Sequence, residues 1–564
     1  MARPHPRPNS GDGRSAGAYT PPARATVSPG SREKPLLSYP SYIGGKDVEG
    51  VGWVYTVSSR SLLEDVFTSV SLKRSLEQDP DPLSPAAQHR YVTGRCAVVA
   101  DADVDTATEA AAAAVPEWAA VPLADRLRLG RLFREKLLEH EETFLEILVA
   151  EAHPRRLARW ELACLLQVFS EASCSFYEQQ MYAEFTHGPR RLIVRRQPDG
   201  VVCLNPPQNA PAPSSALAVL ALMAGNAVVV RAPRSIALST MFLLRELVVP
   251  LLDELGAPPG TLNVICGKPA QMLDRWLEHP QVNDILYFGG SEAGLRFEQE
   301  CVARGKKPIL ELAGNDSFVV WKDADLPLAV EAITECFYGS GQICMVPNHV
   351  IVHPDVAEEL LRLLKARAET IRPGFPDDDE VVLSPVRRSE KFFALLRQAI
   401  AGGGELVTGG RRLEVDGTPS QAGMFLEPTV VRVNGLAGAR ELDMVRHETF
   451  FPLLPVVVPA PTPDDELLAE IIHFTNANEY GLRNSFWSGS PTVVERYISR
   501  LRNGGLVKVN DSHIGFLPYL PTHGGTGLTG GAFGEANYPI LKTSHIQGVS
   551  IATGVVPSIA AFER

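Results

Sequence analysis

The sequence predicts an α/β protein with two parallel-sheet units, the first Rossmann-like. Two observations predict it. Short β-branched runs alternate with longer helix-like segments from about 190 to 310, and the alternation restarts after Ile309. Strand, helix, strand, helix in that order implies parallel strands joined by crossover helices. A chain of 564 residues is long enough for about three to five domain-sized units.

The elements follow in order. Asp105 to Val115 is Ala-rich, and Leu123 to Ala150 carries a long amphipathic period, so both read as helices. Leu192 to Arg196 and Gly200 to Leu204 read as short strands around a turn at Pro198-Asp199-Gly200. Ala227 to Arg231 is a strand, Leu238 to Leu255 a helix, and Thr261 to Cys266 a strand. A helix near Gln271 and a strand from Asp284 to Phe288 complete the first unit. The second has strands at 317–321 and 348–353 and helices at 326–338 and 355–371. Residues 1–40, rich in Pro, Ser, Gly and Arg, read as a disordered tail. Ser69 to Gln88, with Asp79-Pro-Asp-Pro-Leu-Ser-Pro85, reads as a surface insertion.

Composition excludes several function classes. A net charge of -12 argues against nucleic acid or an anionic membrane as the main partner. The apolar run Leu217 to Met223 stops at Gly225 and Asn226, far short of the roughly twenty residues of a membrane helix. The first forty residues lack the apolar segment of a secretory signal. Six prolines between Pro4 and Pro29 argue against a helical transit peptide. Eight cysteines, with no C-x-x-C pair and no His cluster at zinc spacing, suit free thiols in a reducing compartment rather than disulfides or a metal site. A cytoplasmic protein without a metal is the expectation.

From about Arg196 onward a series of segments appears in order. They are Arg196-Gln-Pro-Asp-Gly-Val-Val202, Asn205-Pro-Pro-Gln-Asn-Ala-Pro211, Gly225-Asn-Ala-Val-Val-Val-Arg231, and Gly256-Ala-Pro-Pro-Gly-Thr-Leu-Asn-Val-Ile-Cys-Gly267. Phe288-Gly-Gly-Ser291, Leu310-Glu-Leu-Ala-Gly-Asn-Asp316, Gly341-Gln-Ile-Cys344 and His447-Glu-Thr-Phe-Phe-Pro452 continue the series. Together they resemble the aldehyde dehydrogenase superfamily. The order and number of matches carry the resemblance, since each alone is weak. The first hundred residues match poorly.

The resemblance implies a cofactor domain (41–177 and 199–312), a catalytic domain (313–520) and an oligomerisation element (178–198 and 536–564). A homodimer or homotetramer follows by the same analogy, and an apolar edge at Gly548 to Val556 would be covered by another chain. It implies a small aldehyde as substrate and a nicotinamide cofactor. Cys344 would be the nucleophile, whose thiolate adds to the aldehyde and is left as a thioester. Taken alone it could be one more buried thiol. Asn209 and the Cys344 N–H would form the oxyanion hole. Glu311 would activate the water that hydrolyses the thioester. Family members that pass the acyl group to coenzyme A usually lack this Glu, so a free acid is the expected product. The alternative is an NADPH-dependent reductase or coenzyme A-acylating dehydrogenase acting on a thioester. A catalytically silent scaffold is the reading outside the enzyme class.

For the cofactor, Asn205 and Pro206 belong to the loop after the first strand of the match. Gly290 and Ser291 would meet the pyrophosphate at a helix N-terminus, and Glu448 and Phe450 would hold the nicotinamide ribose and ring. This chain departs from the family pattern at Gln208, where the family has Trp, and in the shortened Phe288–Ser291 block. It also has Arg231 where the family has a ribose-binding Lys, and Arg234 where NAD enzymes commonly carry Glu. A guanidinium binds a 2′-phosphate that a carboxylate would repel, so NADP is favoured over NAD. Arg234 could also simply begin a surface helix.

Overall fold

The computed structural model describes residues 36–78, 91–521, 523–532 and 538–562. Two seven-stranded sheets dominate. The first runs Lys307–Glu311, Val282–Phe288, Val201–Asn205, Ala227–Ala232, Leu262–Cys266, then the hairpin Ser41–Ile43 and Lys46–Val48. Its first five strands are parallel, while Ser41–Ile43 joins antiparallel. All five residues of Val201–Asn205 and of Leu262–Cys266 are buried, as are all six of Ala227–Ala232. Parallel strands covered by helices on both faces read as continuous apolar runs for this reason. The chain leaves Val201–Asn205 toward one side of the sheet and returns at Val282–Phe288 on the other. The crevice between the carboxyl ends of these two strands is the topological switch point where such sheets bind ligands.

The second sheet runs Glu405–Thr408, Thr429–Asn434, Leu453–Val458, Pro347–Val352, Asp316–Val320, Arg483–Trp487 and Leu506–Val509. Only the Glu405–Thr408 edge is antiparallel. A third, three-stranded antiparallel sheet pairs Tyr182–His187, Arg190–Pro198 and Ser544–Ala552. Phe185, Val194, Ile546 and Ile551 are exposed on it. Residues 178–181, assigned to this element from the sequence, instead end the helix Glu171–Met181.

Several boundaries differ from expectation. The reading of 1–35 as a tail lies outside the described residues, but Leu37–Tyr39 is a strand pairing in parallel with Gly94–Cys96. Its flanking prolines, Pro35 and Pro40, hide three residues whose pairing is with sequence fifty-odd positions away. The supposed insertion contains the end of a helix, Val66–Gln78, which buries only Ser69 and Leu76 and so shows no apolar stripe. Residues 79–88 lie outside the described residues. The segment 123–150 is two helices, Leu123–Glu139 and Glu141–Ala150, parted at His140. The segment 238–255 includes a π-helical stretch, Phe242–Val248. The helix expected over 326–338 ends at Ile333 and passes into tighter turns through Gly341. No described helix is long and apolar enough to cross a membrane.

Candidate active site

Three consecutive left-handed residues, Gly339, Ser340 and Gly341, precede the cysteine turn, with φ of 60°, 57° and 70°. Gly341 has no substitute here, because a Cβ would run into the Phe451 carbonyl as well as oppose the positive φ. The turn delivers Cys344 to a cavity of about 310 Å³. Gly314 permits the approach from the other side, since a Cβ there would collide with the Cys344 carbonyl.

The cavity gathers Cys344, Glu311, Asn209, Gly290, Glu448 and Phe450 from separate elements. Cys344 is half-buried while the other seven cysteines are buried, and all eight are free thiols. Its Sγ lies 3.8 Å from Glu311 Oε1. Glu311 ends the strand Lys307–Glu311, and its Oε2 accepts a hydrogen bond from the Gly524 N–H. Burial pushes the Glu311 carboxyl up to about 7, against the downward pull of that N–H and of the Arg483 charge. Burial also raises the Cys344 thiol well above the ordinary range, and the charges of Glu311 and Glu448 add to the rise. Asn209 Nδ2 donates to the Gln342 carbonyl at 3.1 Å, which ties its loop to the cysteine turn.

Glu448 Oε1 accepts from the Gly314 N–H at 3.0 Å, and burial raises its carboxyl to about 8. Phe450 sits beside it with φ of 62°, a conformation costly for a bulky side chain. Gly290 caps the thirteen-residue helix Ser291–Ala303 without a side-chain hydrogen bond. The Ser291 hydroxyl is buried and meets no partner among the described residues. A helix N-terminus with an orphaned hydroxyl, at the switch point of a parallel sheet, fits a pyrophosphate.

Five predicted residues do not line this cavity: Asn205, Pro206, Ser291, Arg231 and Arg234. Arg231 is buried, with Nε donating to Asn205 Oδ1 at 2.5 Å and a terminal nitrogen donating to the Pro206 carbonyl at 2.7 Å. Burial lowers its guanidinium to about 10. Arg234 is half-buried and lines a different cavity, of about 340 Å³, with Trp53, Arg74, Glu77 and Gln78.

Other site residues carry no sequence signal. Trp160, Glu161 and Cys164 enter the catalytic cavity from the helix Arg155–Val168, and Phe516 and His523 from the C-terminal loops. Burial lowers His523 to about 3, so its ring is neutral. Arg483, fully buried behind Phe516, donates to the His513 carbonyl and lies 5.0 Å from the Phe516 ring. The helix residues could have been found only by asking which face of an amphipathic helix points at the cysteine.

The aldehyde dehydrogenase family profile matches residues 75–544. The chain belongs to the aldehyde dehydrogenase family. Benzaldehyde dehydrogenase [NAD(+)] of Pseudomonas putida is 30% identical over 456 residues, covering 78% of this chain and 88% of that protein. A probable succinate-semialdehyde dehydrogenase [NADP(+)] of Sinorhizobium fredii is 29% identical over 460 residues, covering 78% and 88%. The crystal structure of an NAD-dependent aldehyde dehydrogenase from Sinorhizobium meliloti superposes with a TM-score of 0.76 at 24% identity, covering 94% of this chain and 98% of that one. The predicted α/β fold and oxidoreductase class are borne out by this membership.

Proposed function

We propose that this chain oxidises an aldehyde to a carboxylic acid with NAD or NADP, through a thioester on Cys344. The observation that carries the reading is the approach of Cys344 Sγ to Glu311 Oε1, 3.8 Å, inside one cavity at the sheet's switch point. Glu311 takes the thiol proton, and the sulfur then adds to the aldehyde carbon. Asn209 offers the oxyanion an N–H, since Gln342 occupies only one of its two. The Cys344 N–H supplies the second donor. Oxidised nicotinamide, when bound, supplies the acceptor for the hydride. Glu311 releases that proton to solvent and next takes one from water, which attacks the thioester; the carbon–sulfur bond breaks, the sulfur takes the proton back from Glu311, and the acid leaves. The balance is aldehyde, water and oxidised cofactor to acid, reduced cofactor and a proton.

Gly290 and Ser291 hold the pyrophosphate, Glu448 and Phe450 the nicotinamide ribose and ring. Asn205, Pro206 and Arg231 form the floor near the adenosine, and Arg234 favours NADP. The domain division given above, with 178–198 and 536–564 as an oligomerisation element, is part of the same reading. The apolar side chains exposed on the three-stranded sheet support a homodimer or homotetramer. The buried free thiols support a reducing compartment, the cytoplasm.

The test is a cofactor-reduction assay over an aldehyde panel with NAD and NADP in parallel, with and without coenzyme A. Aldehyde-dependent reduction that needs no coenzyme A is expected. Strict dependence on coenzyme A would instead favour the acylating alternative, against which Glu311 counts.

A further inference from the structure

Glu161 is 1% exposed and lines the same cavity as Cys344. The buried ring of His153 fixes one of its oxygens, with Nδ1 2.5 Å from Oε1. Oε2 is buried too and meets no partner among the described residues. The neighbouring acid Glu151 is not in that position, because the Leu238 and Ser239 N–H groups satisfy both its oxygens, at 2.7 and 3.1 Å. Burial alone would lower His153, but the charge and hydrogen bond of Glu161 outweigh it and raise its pKa, which keeps the pair engaged. An acceptor held this way, without a donor, is costly unless something that enters the cavity supplies one.

The rest of the lining sharpens the point. Trp160, Pro213, Ile343, Met345 and Phe516 make most of the wall apolar, and Trp160 and Phe516 meet edge to face at 6.1 Å. Three carboxyl groups line the cavity, those of Glu161, Glu311 and Glu448, and no Lys or Arg does. Arg483 lies behind Phe516 and is already engaged by the His513 carbonyl.

We propose that Glu161 is a specificity-determining residue that selects aldehydes carrying a hydrogen-bond donor, a hydroxyl or an ammonium, away from the carbonyl, and that the cavity rejects aldehydes bearing a carboxylate there. The inference rests on the functional reading above and goes beyond it by naming the substrate class. The apolar wall accepts the body of the substrate, and the orphaned oxygen receives its polar end. A site built to satisfy a buried acceptor discriminates strongly against the analogue that lacks the donor.

The experiment compares kcat/KM for benzaldehydes bearing a methyl, hydroxymethyl, aminomethyl or carboxylate group at the meta or para position. The hydroxymethyl or aminomethyl compound should exceed the methyl compound by about tenfold, the scale of one charge-assisted hydrogen bond. The carboxylate should fall below the methyl compound by a similar factor. In Glu161→Gln the aminomethyl-to-methyl ratio should drop about tenfold and the carboxylate penalty should shrink, whatever change all four share. A merely structural Glu161 would move all four together and leave the ratios fixed. Equal rates across the set in the wild type, the result expected if water alone satisfies Oε2, would overturn the proposal. If the wild type oxidises none of the set, the functional reading fails separately. Calorimetric binding of the same compounds to Cys344→Ala then decides about Glu161: the same order of preference supports it and no preference refutes it.

Discussion

Two walls enclose the Cys344 cavity, and they are built in opposite ways. The reacting wall consists of strand ends and tight turns: Glu311 closes a strand, Gly339 to Gly341 hold three left-handed conformations, and Gly314 lets the Cys344 carbonyl pass. The facing wall is one side of the helix Arg155–Val168, which presents Trp160, Glu161 and Cys164. On the reacting wall the backbone itself dictates residue type at Gly314 and Gly341, where a Cβ would meet a carbonyl, while Ser340 holds a left-handed conformation that costs a side chain strain. On the helix wall any side chain of suitable size keeps the backbone intact. Under the roles proposed above, chemistry that depends on fixed geometry would sit where composition is restricted, and selectivity where it is free to vary.

The sharpest way to break this contrast is at the nucleophile. Cys344→Ala should lower aldehyde oxidation by about a thousandfold or more, each tenfold step being about 1.4 kcal/mol of barrier. Cofactor binding, followed by fluorescence titration, should stay nearly unchanged. Residual turnover within about tenfold of wild type would remove Cys344 from the mechanism and the contrast with it.

Glu311 should give the next largest effect, about a hundredfold on steady-state turnover in Glu311→Gln, within the range of general-base catalysis. Rapid mixing should show a burst of reduced cofactor followed by a slow phase, because thioester hydrolysis suffers more than the first half-reaction. The pH dependence follows from the raised carboxyl. With a pKa near 7, the side chain is mostly protonated below that pH and cannot act as base. Wild-type steady-state turnover should therefore rise with pH through about 7, and this limb should vanish in the Gln variant. Equal slowing of both phases, or an unchanged pH limb, would assign Glu311 to structure alone.

A smaller effect probes the backbone argument directly. Gly341→Ala places a Cβ against the Phe451 carbonyl at a φ of 70°. It should cost about 1–3 kcal/mol of stability, seen as a lowered thermal midpoint, and should displace the cysteine turn. A conservative change on the helix wall, Cys164→Ser, should alter KM across substrates more than kcat. If the glycine variant melts and turns over like wild type, the restriction claimed for the reacting wall does not hold.

The same physics explains how much was legible in the sequence. The two parallel sheets were, because buried strands of Val and Ile alternating with helices leave a one-dimensional pattern. Cys344, Glu311, Asn209 and Glu448 were, because each lies in a short segment whose neighbours resemble a family motif, and the structure brings all four into one cavity. Leu37–Tyr39 was not, since so short a strand acquires meaning only through pairing with Gly94–Cys96. Nor was the helix Val66–Gln78, which buries only Ser69 and Leu76. Glu161 was invisible for a different reason. Its burial, its tie to His153 and its place in one cavity with Cys344 are all tertiary facts, and along the chain it is one acid among many on an amphipathic helix.

Cofactor choice carries the contrast to the adenosine end, where the smallest effect is expected. Both arginines there were singled out by their places in a motif, yet the structure treats them differently. Arg231 is buried, and Asn205 Oδ1 and the Pro206 carbonyl take its N–H groups, which makes it a brace for the loop that follows Val201–Asn205. Arg234 is half-buried, makes no ion pair among the described residues, and shares its cavity with Arg74 from the helix Val66–Gln78. Two guanidinium groups facing one cavity, with Glu77 beside them, suit a 2′-phosphate carrying close to two negative charges better than a pair of ribose hydroxyls. A charge-assisted hydrogen bond contributes about 1.5–3 kcal/mol, so NADP should bind roughly tenfold or more tightly than NAD. Arg234→Glu should reverse the order, and Arg74→Gln should narrow it. Titration of both cofactors against the three proteins decides the matter. Wild-type NAD affinity at or above that for NADP, or a ratio unmoved by Arg234→Glu, would leave Arg234 as a surface residue at the start of a helix. A ratio that answers to Arg234 but not to Arg74 would confine cofactor selection to the motif-bearing wall, and a response to both would show that a helix without any motif shares in it.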